Sequence, residues 1–189
     1  MAKIRTFIAI ELPAQLKQAA DKLIVKLKAE NSEIRWVRAA NLHFTLRFLG
    51  EIEQNQVAQL ADGIKNNLKD LQPFPLKLSG LGCFPNLKRP RVIWLGGDGD
   101  LETLNNLAFQ IESACRVNGF GKADKPFSAH LTIGRINDPH GLESFINRLS
   151  SVSFTSDEFE VHEVVVFKSD LSPRGPTYTA LAKVELGVS

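Results

Sequence analysis

Two segments of this sequence, far apart along the chain, repeat one pattern in which a histidine is followed two residues later by a threonine. The first segment contains His43 and Thr45, and the second contains His130 and Thr132. Each pair lies in an apolar, β-branched run that predicts a strand, and alternate side chains of a strand share a face. The pattern therefore predicts two strands, each presenting an imidazole beside a hydroxyl, in a duplicated chain.

Strict alternation also predicts the faces of the neighbouring side chains. In the first strand it places Phe48 on the buried face, opposite His43. In the second strand it places Gly134 on the same face as His130 and directs Arg135 away from that face. Arg135 could approach His130 only if the strand ended or bulged before it.

The elements around the two motifs repeat in the same order. Strand-like segments at 4–12 and 91–95 are each followed by an amphipathic helical pattern, then by the His-X-Thr strand, a second helix and a further strand. This order predicts an α+β protein in which residues 1–189 form a single domain, with repeats at approximately 1–80 and 91–189. We expect two pseudo-symmetric lobes, each a mainly antiparallel sheet flanked by helices, around a central cleft.

Composition excludes several classes of protein. Lys and Arg number 23 and Asp and Glu 21, so the formal net charge of +2 is too small to indicate a general nucleic-acid binder, although a short or terminal piece of nucleic acid remains compatible. Cys83 and Cys115 have no Cys-X-X-Cys spacing and are expected to be buried, reduced thiols. No leader or long apolar run is present, which predicts a cytoplasmic protein without a membrane partner. We also expect a monomer.

Paired histidines suit acid–base chemistry at a phosphate. One imidazole can remove a proton while the other supplies one near neutral pH. The hydroxyls of Thr45 and Thr132 can donate hydrogen bonds to phosphoryl oxygens, and Arg135 would add a positive charge. We therefore interpret His43 and His130 as candidate catalytic residues, and the two threonines and Arg135 as candidate substrate-binding residues.

A metal site is the chemical alternative, because two histidines with a carboxylate can hold a metal ion. The sequence has no helical His-X-X-X-His spacing and no acidic cluster near either motif. We accordingly predict no metal and no cofactor. His140 and His162 lack the motif context and are expected at the surface.

The segments 41–51 (NLHFTLRFLGE) and 130–135 (HLTIGR) resemble the paired motifs of the two-histidine (2H) phosphoesterase superfamily. They are most similar to its bacterial and archaeal RNA 2′,3′-cyclic phosphodiesterase branch, also called 2′-5′ RNA ligase. Supporting similarity extends over residues 5–10, 84–94 and 172–178, so it covers nearly the whole chain. One departure is Ala129, where many members of the branch have proline.

This resemblance implies a bilobal fold that acts, without metal, on RNA ending in a 2′,3′-cyclic phosphate or on a related oligonucleotide. The product would be a 2′-phosphomonoester. Carried over by position, His43 would protonate the leaving 3′-oxygen and His130 would activate water. Thr45 and Thr132 would hold the phosphate, and Arg135 would contact the phosphate or the water.

Other residues are candidates for gripping the nucleotide, because cations meet phosphates and an aromatic face stacks on a base. They are Arg47, Arg89, Arg91, Arg174 and Tyr178, with Phe84 as a lid or a core residue. Two alternative functions remain open at this point. One is 2′-5′ RNA ligation, in which an RNA hydroxyl replaces water, and the other is binding of RNA ends without catalysis.

Overall fold

The computed structural model describes residues 2–30, 34–149, 151–173 and 175–188 of the chain. The strands are β1 (Lys3–Glu11), β2 (Arg35–Trp36), β3 (His43–Glu53), β4 (Phe74–Phe84), β5 (Val92–Gly99), β6 (His130–Arg135), β7 (Phe159–Val161), β8 (Glu163–Ser172) and β9 (Gly175–Glu185). The helices are α1 (Ala14–Glu30), α2 (Gln56–Leu68), α3 (Leu101–Val117) and α4 (Glu143–Leu149). None of the described helices is long and apolar enough to cross a membrane.

These strands form two antiparallel sheets. The first has the order β3-β1-β8-β9, and we call it the His43 sheet because β3 begins at that residue. The second has the order β2-β6-β5-β4-β7, and we call it the His130 sheet because β6 begins at that residue. The α+β class with two mainly antiparallel sheets, predicted from the sequence, is confirmed.

The helices form where apolar side chains recur at helical spacing. In α1 the buried residues Leu16, Ala20 and Leu23 fall on one face, which packs into the core. Asp100 begins α3 as an N-cap, since its carboxylate accepts a hydrogen bond from the backbone N–H of Thr103 at 2.9 Å. One continuous apolar core covers the inner faces of both sheets, and α2 packs against α3 beneath it.

The two sheets do not follow the two halves of the sequence. From the first half, β1 and β3 enter the His43 sheet, whereas β2 and β4 enter the His130 sheet. From the second half, β8 and β9 complete the His43 sheet by pairing beside β1. Each sequence repeat therefore contributes strands to both sheets, and neither sheet is built from one repeat alone.

The strands that carry the two histidines lie side by side, although they belong to different sheets. A close contact joins them. A Cβ on Gly97 would come within 3.3 Å of the Phe44 ring and 3.2 Å of the Ala129 methyl group, so a larger residue here would push these neighbours apart by a few tenths of an ångström. The backbone N–H of Gly97 also donates to the Ala129 oxygen at 2.9 Å. This contact sets β3 beside β6.

Candidate active site

Both motif histidines are held by the same hydrogen bond. Nδ1 of His43 donates to the backbone oxygen of Asn41 at 2.7 Å, and Nδ1 of His130 donates to that of Ser128 at 2.8 Å. In each case the acceptor is the residue two positions earlier. Because a carbonyl oxygen can only accept, Nδ1 must carry the proton, and Nε2 of the neutral ring keeps its lone pair. Each imidazole is thus set to exchange a proton through Nε2.

The environment of His43 strongly favours the neutral ring. Burial lowers the pKa of His43 from 6.5 to about 4, and the hydrogen bond to Asn41 only partly opposes that effect. The charges of Lys17 and Arg135 also lower this pKa, while Glu11 raises it. The Phe7 ring packs against the imidazole, with its centroid 4.8 Å from that of His43. In the free protein His43 is neutral at pH 7.

His130 is shifted in the same direction. Burial lowers the pKa of His130, the hydrogen bond to Ser128 raises it, and Arg135 lowers it further. The Phe84 ring stands edge-on to His130, with centroids 4.9 Å apart and planes at 87°. Phe84 therefore packs against the imidazole. Phe84 is half-buried and does not belong to the apolar core, so the core interpretation was wrong, and its role as a lid stays a prediction.

A β-bulge brings Arg135 onto the face of His130. Thr132 pairs with Trp94 and Gly134 with Ile93, so the intervening Ile133 has no partner on β5. The extra residue reverses the alternation beyond it. Arg135, which follows the bulge, therefore points to the same side as Thr132 and meets the condition set from the sequence. Its charge lowers the pKa of both motif histidines, so it lies within reach of both.

A matching bulge occurs in β3, and each of the two bulges corrects one prediction. There Leu46, the third residue after the histidine, has no partner on β1. Phe48 consequently pairs with Phe7 on the His43 face, where its side chain is exposed, and was wrongly predicted to be buried on the other face. Gly134 was wrongly placed beside His130, because it pairs with the core residue Ile93. Strict alternation fails here because each bulge inserts one residue.

The two threonines lie where the motif predicts. Thr45 and Thr132 are half-buried on the faces of their histidines, opposite Ala9 and Trp94 respectively. Within the described part of the chain, neither hydroxyl hydrogen bonds to another protein group. Both hydroxyls can therefore donate to a ligand between the strands.

A recess of about 290 Å³ opens beside His43. The Tyr178 ring forms one wall and stands edge-on to the imidazole, with centroids 5.2 Å apart and planes at 88°. Burial raises the pKa of Tyr178, so its phenol stays neutral. At the rim, Lys17 pairs with Glu11 at 2.8 Å, and Asn41 Nδ2 donates to the Pro176 oxygen at 2.9 Å. Tyr178, a candidate nucleotide contact, thus lies at the site.

Comparison with known proteins agrees with this geometry. The family described as LigT-like phosphoesterase matches residues 10–94 and 98–178. The chain belongs to this family. An RNA 2′,3′-cyclic phosphodiesterase of Methanothermobacter thermautotrophicus is 31% identical over 180 residues, covering 94% of this chain and 96% of the relative. One from Aquifex aeolicus is 32% identical over 192 residues, covering 99% and 100%.

Solved structures of LigT proteins have the same fold. The crystal structure of Escherichia coli LigT complexed with 3′-AMP matches this phosphoesterase with a TM-score of 0.73 and 26% identity, covering 98% of this chain and 99% of that one. A Thermus thermophilus structure matches with a TM-score of 0.72 and 27% identity, with the same coverage. The similarity therefore extends over the whole bilobal architecture.

Arg47 of this phosphoesterase was wrongly predicted to be a candidate nucleotide contact. Position 47 follows the bulge of β3 and pairs with the core residue Ile8, so its side chain leaves the cleft. Arg47 Nε lies 2.9 Å from the Glu112 carboxylate on α3, and Nη2 donates to the Gly121 oxygen at 2.6 Å. Arg47 ties β3 to α3 and to the loop after it.

Breaking this tie should destabilise the phosphoesterase without touching the cleft. Arg47→Met is expected to lower the free energy of unfolding by about 1–3 kcal/mol, because the half-buried Glu112 carboxylate loses its ion pair and keeps only the hydrogen bond from the Ala123 N–H. Urea unfolding measures the change. Lys77→Met is the matched control: it removes an exposed ion pair to Asp98 (3.4 Å) and should cost under about 1 kcal/mol. Equal effects of the two substitutions would show that the Arg47–Glu112 pair stabilises the protein no more than an exposed ion pair does.

The other arginine candidates have different surroundings. The Asn86 side chain accepts from the backbone N–H of Arg89, which lies in the exposed turn after β4 and is not brought to either histidine. Arg91 precedes β5, and its Nη1 donates to the backbone oxygen of Asn137. Arg174 lies outside the described residues.

The other two histidines and the two cysteines were not predicted to belong to the site. His140 and His162 are exposed, beside Asp138 and Glu160, as predicted. Cys83 and Cys115 are free and buried, and burial raises the pKa of each thiol to about 11. Among the residues that the structure describes, no group of three or more His, Cys, Asp or Glu side chains is placed to hold a metal ion.

Some residues of the site were not singled out from the sequence. Phe7 and Phe167 form an aromatic floor under His43, with stacked rings 5.3 Å apart. Arg35 was also not singled out; it lies outside the cleft and faces Arg135 across β2 and β6. Alternation along β1 and β8 could have identified the aromatic residues as inward-facing, but only the order of strands in the sheets reveals which face carries the histidines.

Proposed function

We propose that this phosphoesterase hydrolyses the 2′,3′-cyclic phosphate at the end of an RNA to a 2′-phosphomonoester, without a metal ion. The observation that carries the proposal is the pair of imidazoles on adjacent strands, each fixed through Nδ1 and both within reach of the Arg135 charge. The name of its relatives, RNA 2′,3′-cyclic phosphodiesterase, supports the substrate. The whole chain, residues 1–189, would act as one domain.

The reaction needs both imidazoles at once. Nε2 of His130 takes a proton from water as the water oxygen bonds to phosphorus. Nε2–H of His43 gives a proton to the 3′-oxygen as the bond between that oxygen and phosphorus breaks, which leaves the phosphate on the 2′-oxygen. The hydroxyls of Thr45 and Thr132 and the guanidinium of Arg135 stabilise the charge on the equatorial oxygens. Exchange of protons with solvent resets both rings.

The recess beside His43 supports this division of roles. The leaving 3′-oxygen stays attached to its ribose and base, so its side of the phosphate needs room for a nucleoside. About 290 Å³ is open next to His43, with the Tyr178 ring available for contact with the base. The attacking water needs little space, and His130 has the Phe84 ring against it.

Binding of a phosphate would also favour protonation of His43, the proposed acid. In the free protein burial holds the pKa of His43 at about 4, which is too low for a proton donor at pH 7. A phosphodiester anion in the cleft raises this pKa, because an opposite charge nearby favours the imidazolium. Substrate binding would therefore draw a proton onto His43. The affinity for a phosphate analogue should accordingly increase as the pH falls.

The decisive experiment uses a short RNA ending in a 2′,3′-cyclic phosphate, incubated with the protein and a chelator. We expect a 2′-phosphate product, formed at an undiminished rate with the chelator present. Loss of activity with chelator would mean a metal mechanism. Adding a 5′-hydroxyl RNA tests ligation, and a 2′-5′ joined product exceeding hydrolysis in dilute solution would make ligation the main reaction. Substrate that stays intact but bound would identify a non-catalytic binder of RNA ends.

A further inference from the structure

Three arginines from separate segments meet at one edge of the His130 sheet. Arg35 in β2 is the direct cross-strand partner of Arg135 in β6. Arg91, just before β5, donates from Nη1 to the backbone oxygen of Asn137. With the Asn137 amide in the orientation that satisfies both of its ends, its oxygen accepts from Nε and Nη2 of Arg35 at 3.1 and 3.2 Å. We call these three residues the arginine edge.

The charges of the arginine edge are held in place but are not neutralised. Like charges directly opposite each other on neighbouring strands repel. The groups of Asn137 that hold Arg35 and Arg91 are neutral amides, which orient a guanidinium without cancelling its charge. Within the described ranges, none of the three arginines forms an ion pair with a carboxylate. Arg35 and Arg135 thus place two exposed positive charges side by side, and Asn137 links Arg35 to the exposed Arg91, which together favour an anionic ligand at this edge.

The arginine edge continues directly from the catalytic cleft. Arg135 is one of its members, and the same guanidinium lowers the pKa of His43, His130 and Tyr178. Arg35 lies one strand further out, roughly 5 Å away at the spacing of paired strands. A phosphate held by Arg135 therefore has further cations beside it. An RNA chain offers a phosphate at every nucleotide, and a guanidinium can bind one in a bidentate manner.

We propose that Arg35 and Arg91 bind the backbone phosphates on the 5′ side of the reacting nucleotide. This inference rests on the proposed function and makes it narrower: the substrate is the end of an RNA chain, preferred over a cyclic mononucleotide. The arginine edge contacts phosphates alone, so it adds affinity without reading the base sequence. β2 carries Arg35 to this edge by pairing with β6.

The test compares two substrates, uridine 2′,3′-cyclic phosphate and a tetranucleotide with the same end. The proteins are the wild type, Arg35→Gln, Arg91→Gln and, as the matched control, Arg116→Gln, an exposed arginine in the last turn of α3. For each edge variant we expect kcat/KM on the tetranucleotide to fall about tenfold, mainly through KM, as is usual for loss of a charge-assisted hydrogen bond. The mononucleotide should be hydrolysed within twofold of the wild-type rate. Arg116→Gln should change neither.

Salt dependence provides a second readout that does not require turnover. Binding of a labelled tetranucleotide ending in a 3′-phosphate is measured over a range of salt concentrations. Each lost phosphate contact should reduce the slope of log K against log salt by about 0.7, and Arg35→Lys should restore most of the slope. Equal loss on both substrates, or an unchanged slope, would overturn the proposal. A wild type that binds with the expected slopes but hydrolyses neither substrate would contradict the proposed function alone.

Discussion

Replacing His130 by asparagine is expected to lower kcat/KM for a terminal 2′,3′-cyclic phosphate by about 10²–10⁴-fold, the usual contribution of a positioned general base. Asparagine is chosen because its amide nitrogen sits near the place of Nδ1. The hydrogen bond that His130 makes to the Ser128 oxygen, 2.8 Å in the native protein, can therefore persist. What disappears is the Nε2 lone pair. The midpoint of urea unfolding should change little, which would show that the variant loses catalysis while it keeps its stability.

The equivalent change at His43 tests its separate role as the acid. His43→Asn should cause a similar loss on the natural substrate. A substrate analogue with sulfur in place of the leaving 3′-oxygen should recover most of that loss, because a thiolate departs without protonation. The analogue should not rescue His130→Asn. Rescue of the His130 variant instead would reverse the two roles, and rescue of neither would argue against acid catalysis at the leaving atom.

Two further variants complete this experiment. His140→Asn, at an exposed histidine outside the cleft, should retain full activity and serves as the matched control. The double variant of His43 and His130 should be about as slow as the worse single variant, because residues that act as a unit are not additive. A double variant slower by the product of the two single losses would mean that the imidazoles act independently.

The second large effect is a loss of stability at low pH caused by His43. In the native protein the pKa of His43 is lowered from 6.5 to about 4 by burial. As the pH falls through this window, the unfolded chain takes up a proton that the native protein does not, so the free energy of unfolding decreases. By linkage the full effect, reached below pH 4, is at most about 3 kcal/mol. Above pH 6.5 His43 contributes no pH dependence.

Comparison with His43→Asn isolates this effect from the carboxylates that titrate in the same range. Urea unfolding between pH 7 and 4 should show a smaller decrease in stability for the variant, by about 2–3 kcal/mol. His130 acts in the same direction in both proteins, because burial lowers its pKa as well. His162→Asn, at an exposed position, should follow the wild-type curve. Parallel curves for the wild type and His43→Asn would show that burial does not control this imidazole.

The strands and their histidines could be predicted from the sequence because their signals are local. His43 and His130 each sit in a run that alternates or is continuously apolar, and the repeat of the motif indicates duplication. The bulges could not be predicted in the same way. They depend on the register between β3 and β1 and between β6 and β5, which is a property of paired strands. The bulges are the reason why Phe48 and Arg135 lie on the opposite faces from those that strict alternation predicts.

The arginines were harder to assign because their roles depend on distant partners. Arg47 and Arg135 both follow a motif histidine, yet the first pairs with Glu112 on α3 and the second enters the cleft. Arg35 lies beside Arg135 only because β2 pairs with β6, the strand that begins at His130. The Arg47–Glu112 and Arg35–Arg135 pairs each join residues that are far apart along the chain. Periodicity and local propensity, which act over short windows, cannot report them.

The exchange of strands between the sheets determines when the cleft can form during synthesis. β1 and β3 precede the other described strands of the His43 sheet in synthesis, and β8 and β9, which complete that sheet, follow all the other described strands. The Phe167 and Tyr178 rings that pack around His43 arrive with them. A nascent chain that already contains both histidines therefore has Phe7 but lacks two of the rings that pack around His43. The environment of His43 is therefore complete only once the segment that contains β8 and β9 has joined the sheet.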